Sequence, residues 1–190
     1  MKFKTAVLTS AMVCAVSVPA HAGFYFGIGG SGGSVTETYE GPSTIEDEYE
    51  YDQTQGDIKL GLLFESETRM EVSFNAITVE DDFGGEAEYS GIDFDWYFPF
   101  GSHNIKPYLG LGFGLYEYED TAVLFTDGEN LGGISINFLA GVMIPFNESV
   151  ELSLGYEAKG IGWETMQANG QEVEASSSVS SVGFGLLFKF

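Results

Sequence analysis

The groups in this chain that could do chemistry are few and sorted by sign. Its 190 residues hold 29 Asp and Glu against 7 Lys and Arg, with 2 His and 1 Cys. Nucleophilic catalysis needs a hydroxyl or thiol beside a base that a third group orients. Cys14 and His21 fall in the first 22 residues, so beyond them His103 is the single imidazole. It sits in Gly101-Ser102-His103-Asn104. Ser102 adjoins it, but nothing nearby completes a triad. The serines at 176–178, 180 and 181 read as the start of a polar-faced strand. The expectation is therefore no catalytic residue and no bound cofactor.

The acids suggest a second kind of chemistry. Twenty of the 29 fall in or beside four stretches, 37–52, 80–88, 117–129 and 164–174. Carboxylate oxygens suit Ca²⁺ and Mg²⁺, but no EF-hand spacing is present. Asp93-Phe94-Asp95 lies within a strand pattern, and Asp127-Gly128-Glu129 is too short a match. Two readings stand: weak Ca²⁺ or Mg²⁺ binding at acidic loops, or a solvated acidic surface screened by salt. Nucleic acid is excluded as a partner, because phosphate binding needs clustered cations.

These charges must be positioned by strands. Residues 1–22 carry Lys2 and Lys4, an apolar stretch from Ala6 to Val18, and Ala20-His21-Ala22. That is the pattern of a secretory signal peptide cut after Ala22, and it is too short to span a membrane as a helix. The remaining 23–190 carry 5 − 29 = −24 charges and no cysteine. Disulfides therefore cannot staple the fold. Composition is 44% hydrophobic and 15% aromatic with 26 Gly, which argues for a folded rather than a disordered acidic chain. Apolar residues recur with period two, the mark of strands with one greasy face. Leu109, Leu111, Phe113 and Leu115 alternate with Tyr108, Gly110, Gly112, Gly114 and Tyr116. Eight such segments are expected at 23–36, 51–64, 69–80, 88–100, 107–118, 131–144, 150–163 and 177–190. Their length suits tilted membrane strands better than soluble ones. Short links at 65–68, 101–106 and 145–149 alternate with the linkers 37–50, 81–87, 119–130 and 164–176. The fold class is all-β: an eight-stranded antiparallel transmembrane β-barrel, an up-and-down meander with short turns on the periplasmic rim.

Facing follows from the charges. They alternate with the apolar residues on most strands, so the apolar set faces lipid and the ionic set lines the lumen. An ionic network in two layers is expected there, with Arg69, Glu71, Glu151 and Lys189 near the short-turn rim. Lys59, Asp93, Asp95, Glu157 and Lys159 form the layer at mid-barrel. Such a network either fills the lumen or conducts ions; eight strands leave space just wide enough for side chains to fill. Rings near strand ends suggest two interfacial girdles. Tyr97, Phe98, Phe100, Tyr108, Phe146 and Phe190 would form one; Tyr51, Tyr89, Tyr116, Tyr118 and Trp163 the other.

Three segments carry a family resemblance: Gly23-Phe24-Tyr25-Phe26-Gly27, Lys106-Pro107-Tyr108-Leu109-Gly110-Leu111-Gly112-Phe113-Gly114, and the closing Val182–Phe190. The chain beyond residue 22 resembles the small Gram-negative outer-membrane β-barrels, the porin-like and OmpA-type transmembrane domains. The resemblance implies an outer-membrane location among lipid and lipopolysaccharide, and assembly through the barrel assembly machinery. Phe184, Leu186, Phe188 and Phe190 would be the assembly signal. It implies a monomer with a structural or surface-contact role. The alternatives are a narrow pore for small ions or solutes, and a lipid A-modifying barrel enzyme. Against the enzyme, the deacylase His-x-Ser pattern is missing, since Asn104 and Ile105 follow His103. His103 also falls in a turn expected on the wrong rim.

Overall fold

The computed structural model describes residues 23–40, 46–80, 86–101, 104–119, 131–168 and 171–190. The signal-peptide reading of 1–22, the Ser102–His103 pair and Asp120, Asp127 and Glu129 lie outside the described residues.

Among the described residues nine strands form: β1 Gly23–Glu40, β2 Glu46–Leu63, β3 Arg69–Glu80, β4 Glu86–Pro99, β5 Lys106–Glu119, β6 Leu131–Pro145, β7 Val150–Trp163, β8 Met166–Ala168 and β9 Gln171–Lys189. Strands β1 to β7 pair in sequence, β7 pairs with β9, and β9 returns to β1, all antiparallel. This closes an eight-stranded barrel. The short β8 pairs with β9, through Met166↔Val173 to Ala168↔Gln171.

The register fixes the barrel's shape. A row of paired residues runs Ile28, Ile58, Phe74, Ile92, Leu115, Ile134, Gly162, Ser176 and back to Thr38 on β1. The offset is 38 − 28 = 10 residues, so the strands tilt as a closed barrel requires.

Alternation sets the two surfaces. Leu109, Leu111, Phe113, Ile134, Ile136, Phe138, Val182 and Phe184 are exposed on the outside of the wall. The residues between them, such as Tyr108, Gly112, Gly114, Ser135 and Asn137, are buried within. Every backbone polar group of the wall can pair around a closed barrel, and the outside is a belt of unpaired apolar side chains. Only a membrane satisfies both conditions.

The linkers 37–50 and 164–176, expected as loops, are largely strand. β1 and β2 stay paired as far as Glu40↔Glu46, and β9 follows β1 up to Glu40↔Glu174. Thr36, Thr38, Tyr39, Tyr49 and Tyr51 favour pleated backbone and continue the alternation through the acids. The Tyr49 ring lies 6.3 Å from both Tyr39 and Tyr51, tying the hairpin across and along the strands. As a result β1, β2 and β9, of 18, 18 and 19 residues, stand taller than the 12 to 15 residues of the other wall strands.

The aromatic girdles need correction. Phe98, Phe100, Phe146 and Phe190 are exposed at the short-turn rim as expected, but Tyr97 and Tyr108 are buried in the lumen. At the other rim Tyr89 and Tyr116 are buried, and Tyr51, Tyr118 and Trp163 pack against them. Parity decides this. Tyr89 and Tyr97 share the face of Asp93 and Asp95, and Tyr108 and Tyr116 that of the glycines.

Candidate functional site, the barrel lumen

The lumen is packed in three tiers. Nearest the short turns, Arg69 makes a bidentate bond to Glu151, with Nη1 at 2.5 Å from Oε1 and Nη2 at 2.9 Å from Oε2. Lys189 Nζ adds a third contact to Glu151 Oε2 at 2.6 Å. The Arg69 guanidinium also lies 5.8 Å from the Tyr25 ring centroid. Tyr97, Tyr108 and Met143 pack beside this group.

Glu71, expected in this layer with Arg69, instead links the first tier to the second. It accepts bonds from the Tyr25 hydroxyl at 2.9 Å and the Tyr97 hydroxyl at 3.0 Å, and it pairs with Lys59 at 3.3 Å. Lys59 also lies 3.3 Å from Asp57.

The middle tier is built around Lys159, whose side chain is fully buried. Its ammonium lies 2.9 Å from Asp93, 2.9 Å from Glu157 and 2.5 Å from the Tyr116 hydroxyl. Asp93 also accepts from Asn75 and Tyr116 at 2.7 Å each and from Ser135 at 3.3 Å. Asp95 accepts from Asn137 at 3.2 Å and, among the described residues, has no cation at ion-pair distance. Buried charges persist when paired and hydrogen-bonded, and Lys159 and Asp93 meet both conditions.

The third tier is apolar. Val35, Ile77, Val79, Tyr89, Tyr116, Ile161 and Val179 form one buried cluster across the outer mouth. Above it Glu37 is 8% exposed and accepts bonds from the hydroxyls of Tyr39, at 2.6 Å, and Tyr89.

Glycines make room for these groups. A Cβ at Gly112 would lie 1.9 Å from Asp95 Oδ1, and one at Gly114 would lie 2.0 Å from Asp93 Oδ1. Each is the direct cross-strand partner of the aspartate it accommodates. Gly61 likewise lies under its partner Tyr25. The Tyr-Gly-Gly-Gly-Tyr face of β5 is thus a set of slots.

Of the sequence-expected residues, Arg69, Glu151 and Lys189 come together, as do Lys159, Asp93 and Glu157. Lys59 and Glu71 bridge the tiers, and Asp95 is held by an amide. Sequence reasoning missed Tyr25, Asn75, Ser135, Asn137 and Glu37. Asn75 shares the parity of Arg69 and Glu71, Tyr25 and Glu37 share the parity opposite Phe24, Phe26 and Ile28, and Ser135 and Asn137 alternate with Ile134, Ile136 and Phe138, which is the signal that points to them. Phe184 and Phe190 face outward and are exposed, with Leu186 and Phe188 half-buried on the same side. The Phe190 N–H donates to Phe24 O at 2.9 Å.

No protein-family profile matches the sequence, and no curated protein does. Solved structures match the fold. Neisserial surface protein A superposes with a TM-score of 0.56 at 16% identity, over 88% of this chain and 97% of that one. This chain has the fold of the small outer-membrane barrels. The outer membrane protein OprG from Pseudomonas aeruginosa gives 0.50 at 12% identity, over 90% and 97%. The outer membrane enzyme PagL gives 0.50 at 9% identity, over 80% and 97%. The architecture is that of a Gram-negative outer-membrane β-barrel, and it is one that carries an enzyme in PagL and so does not by itself decide activity.

Proposed function

We propose that this protein is a non-conducting, non-enzymatic barrel that serves the envelope as a membrane anchor for an acidic outer surface. The observation that carries this reading is the occluded lumen: ion pairs and rings near the inner rim, a paired ionic tier at mid-depth, and an apolar cluster across the outer mouth. An ion crossing that apolar tier would lose its hydration without replacement.

The raised β1–β2–β9 sheet presents Glu40, Glu48, Glu50, Glu172 and Glu174 at its exposed positions. No Lys, Arg or His occurs in 37–50, 81–87, 119–130 or 164–176. Such a rim repels anionic lipopolysaccharide unless divalent cations bridge the two, and it favours cationic or cation-bridged partners at the cell surface. Residues 1–22 act as the export signal, Phe184, Leu186, Phe188 and Phe190 as the signal to the barrel assembly machinery, and the folded protein is a monomer.

Single-channel recording in planar bilayers tests the reading. The expected result is no steady current from the refolded barrel. Reproducible conductance steps would replace it with the narrow-pore reading.

A further inference from the structure

The acids of the mid-lumen outnumber the cations that serve them. Lys59 lies 3.3 Å from both Asp57 and Glu71, and Lys159 lies 2.9 Å from both Asp93 and Glu157. Each ammonium is therefore already shared between two carboxylates. Arg69 and Lys189 are both engaged with Glu151, and Lys106 pairs with Glu67 at the rim. Among the described residues no basic side chain is left for Asp95.

The register makes that lack severe. Asp95 is 4% exposed. It stands directly opposite Glu71 on β3, and Asp93 shares its face two residues along β4. Both neighbours are fixed as anions. Glu71 is held by Lys59 and the hydroxyls of Tyr25 and Tyr97. Asp93 is held by Lys159, Asn75, Tyr116 and Ser135. On the other side β5 presents Gly112, and β6 presents Asn137, whose amide donates to Asp95 Oδ1 at 3.2 Å. The remaining ionisable groups that reach Asp95, from beyond ion-pair distance, are Glu157 on β7, Lys59 on β2 and Tyr97 on its own strand.

Like charges set directly opposite each other across a ladder repel. A carboxylate buried without a cation is poorly tolerated, and two carboxylates that share one site do not both ionise. The two aspartates of Asp93-Phe94-Asp95 thus differ through their partners alone. Asp93 opposes Ser73 and Gly114 and has a lysine; Asp95 opposes Glu71 and Gly112 and has an amide.

We infer that Asp95 is a proton-binding site. It stands in the folded barrel as a neutral carboxylic acid, its proton taken from the medium as one O–H bond on the carboxylate, and that proton fills the place of the missing cation. The middle tier is complete only while the proton is bound. The folded state holds it at a pH where the unfolded chain has released it, so the stability of the barrel falls as the pH rises.

Infrared spectroscopy of the barrel refolded in detergent reads the site directly, with the chain made by cell-free synthesis from aspartate carrying ¹³C at the side-chain carboxyl. At neutral pH exposed aspartates are ionised, so a labelled carboxylic-acid C=O band belongs to a buried one. Wild type should show that band and Asp95→Asn should lose it, while heat-modifiable gel mobility shows both folded. If Asp95→Asn fails to fold, Glu71→Gln serves: with the opposing charge gone, the band should weaken at neutral pH although Asp95 itself is still present. In urea, wild type should weaken relative to Asp95→Asn as the pH rises, by up to about tenfold in the unfolding equilibrium per pH unit. The inference is overturned if wild type shows no labelled acid band at neutral pH. It is overturned equally if the band survives undiminished in Asp95→Asn, which would place the proton on another aspartate such as Asp57, or, where that variant does not fold, in Glu71→Gln. Stabilities of wild type and Asp95→Asn that run parallel across pH overturn it too.

Discussion

Lys159→Met is the sharpest probe of the lumen. The substitution keeps most of the unbranched side chain and removes one ammonium that has no exposure to solvent. Two carboxylates lose a partner at 2.9 Å, and the Tyr116 hydroxyl loses one at 2.5 Å. Asp93 retains Asn75, Tyr116 and Ser135 as donors, so its loss is partly cushioned. Glu157, with its side chain 17% exposed, can rehydrate in part. Breaking a buried pair by removing one partner costs about 3–5 kcal/mol. That is a shift of roughly 10²- to 4 × 10³-fold in the unfolding equilibrium. Urea unfolding of the barrel refolded into lipid vesicles, followed through Trp96 and Trp163 fluorescence, measures it. Adding Asp93→Asn should recover part of the loss, since the second change removes a charge the first left unpaired. A loss below about 1 kcal/mol would show that the pair behaves like a solvated one and would refute the dry middle tier.

Other expectations follow from the same geometry. Gly112→Ala places a methyl group 1.9 Å from Asp95 Oδ1, so it should cost about 1–3 kcal/mol by overpacking in the same urea assay. Gly101→Ala meets only Pro107 Cδ, at an ordinary 4.0 Å, but a φ of +91°, and should cost about 1 kcal/mol through backbone strain. Lys106→Ala breaks the pair with Glu67 in an exposed turn and should change stability by less than about 1 kcal/mol, a control for the buried pairs. Deleting Phe190, which is 82% exposed, should lower the amount of protein in the outer membrane while leaving refolding in detergent unchanged; fractionation and gel mobility separate the two.

The period-two pattern made the fold legible, because in a barrel one parity touches lipid and the other touches the lumen. It misled where another cue was allowed to outrank parity. Nearness to strand ends points Tyr89, Tyr97, Tyr108 and Tyr116 to the girdles, whereas their parity places them with Asp93, Asp95 and the β5 glycines. Strand continues through 37–40 and 46–50 because threonines and tyrosines alternate there, while the density of acids suggested a loop. Contacts that depend on register were out of reach. Glu71 joins Lys59 rather than Arg69, and Asp95 sits over Gly112, because of which residues oppose one another across the wall. A single sequence with period two fixes the face of each residue but not its opposite number.

The inward placement of the cations bears on how this surface must be probed. Beyond residue 22 there are five basic side chains. Lys59, Arg69, Lys159 and Lys189 are enclosed, and Lys106 sits at the short-turn rim. The face turned to the medium therefore offers no lysine to biotinylation reagents and no cleavage point to trypsin. A protein fully displayed on living cells would score as hidden in both procedures. Glutamate-specific protease and carboxylate-directed coupling are the reagents that can see it.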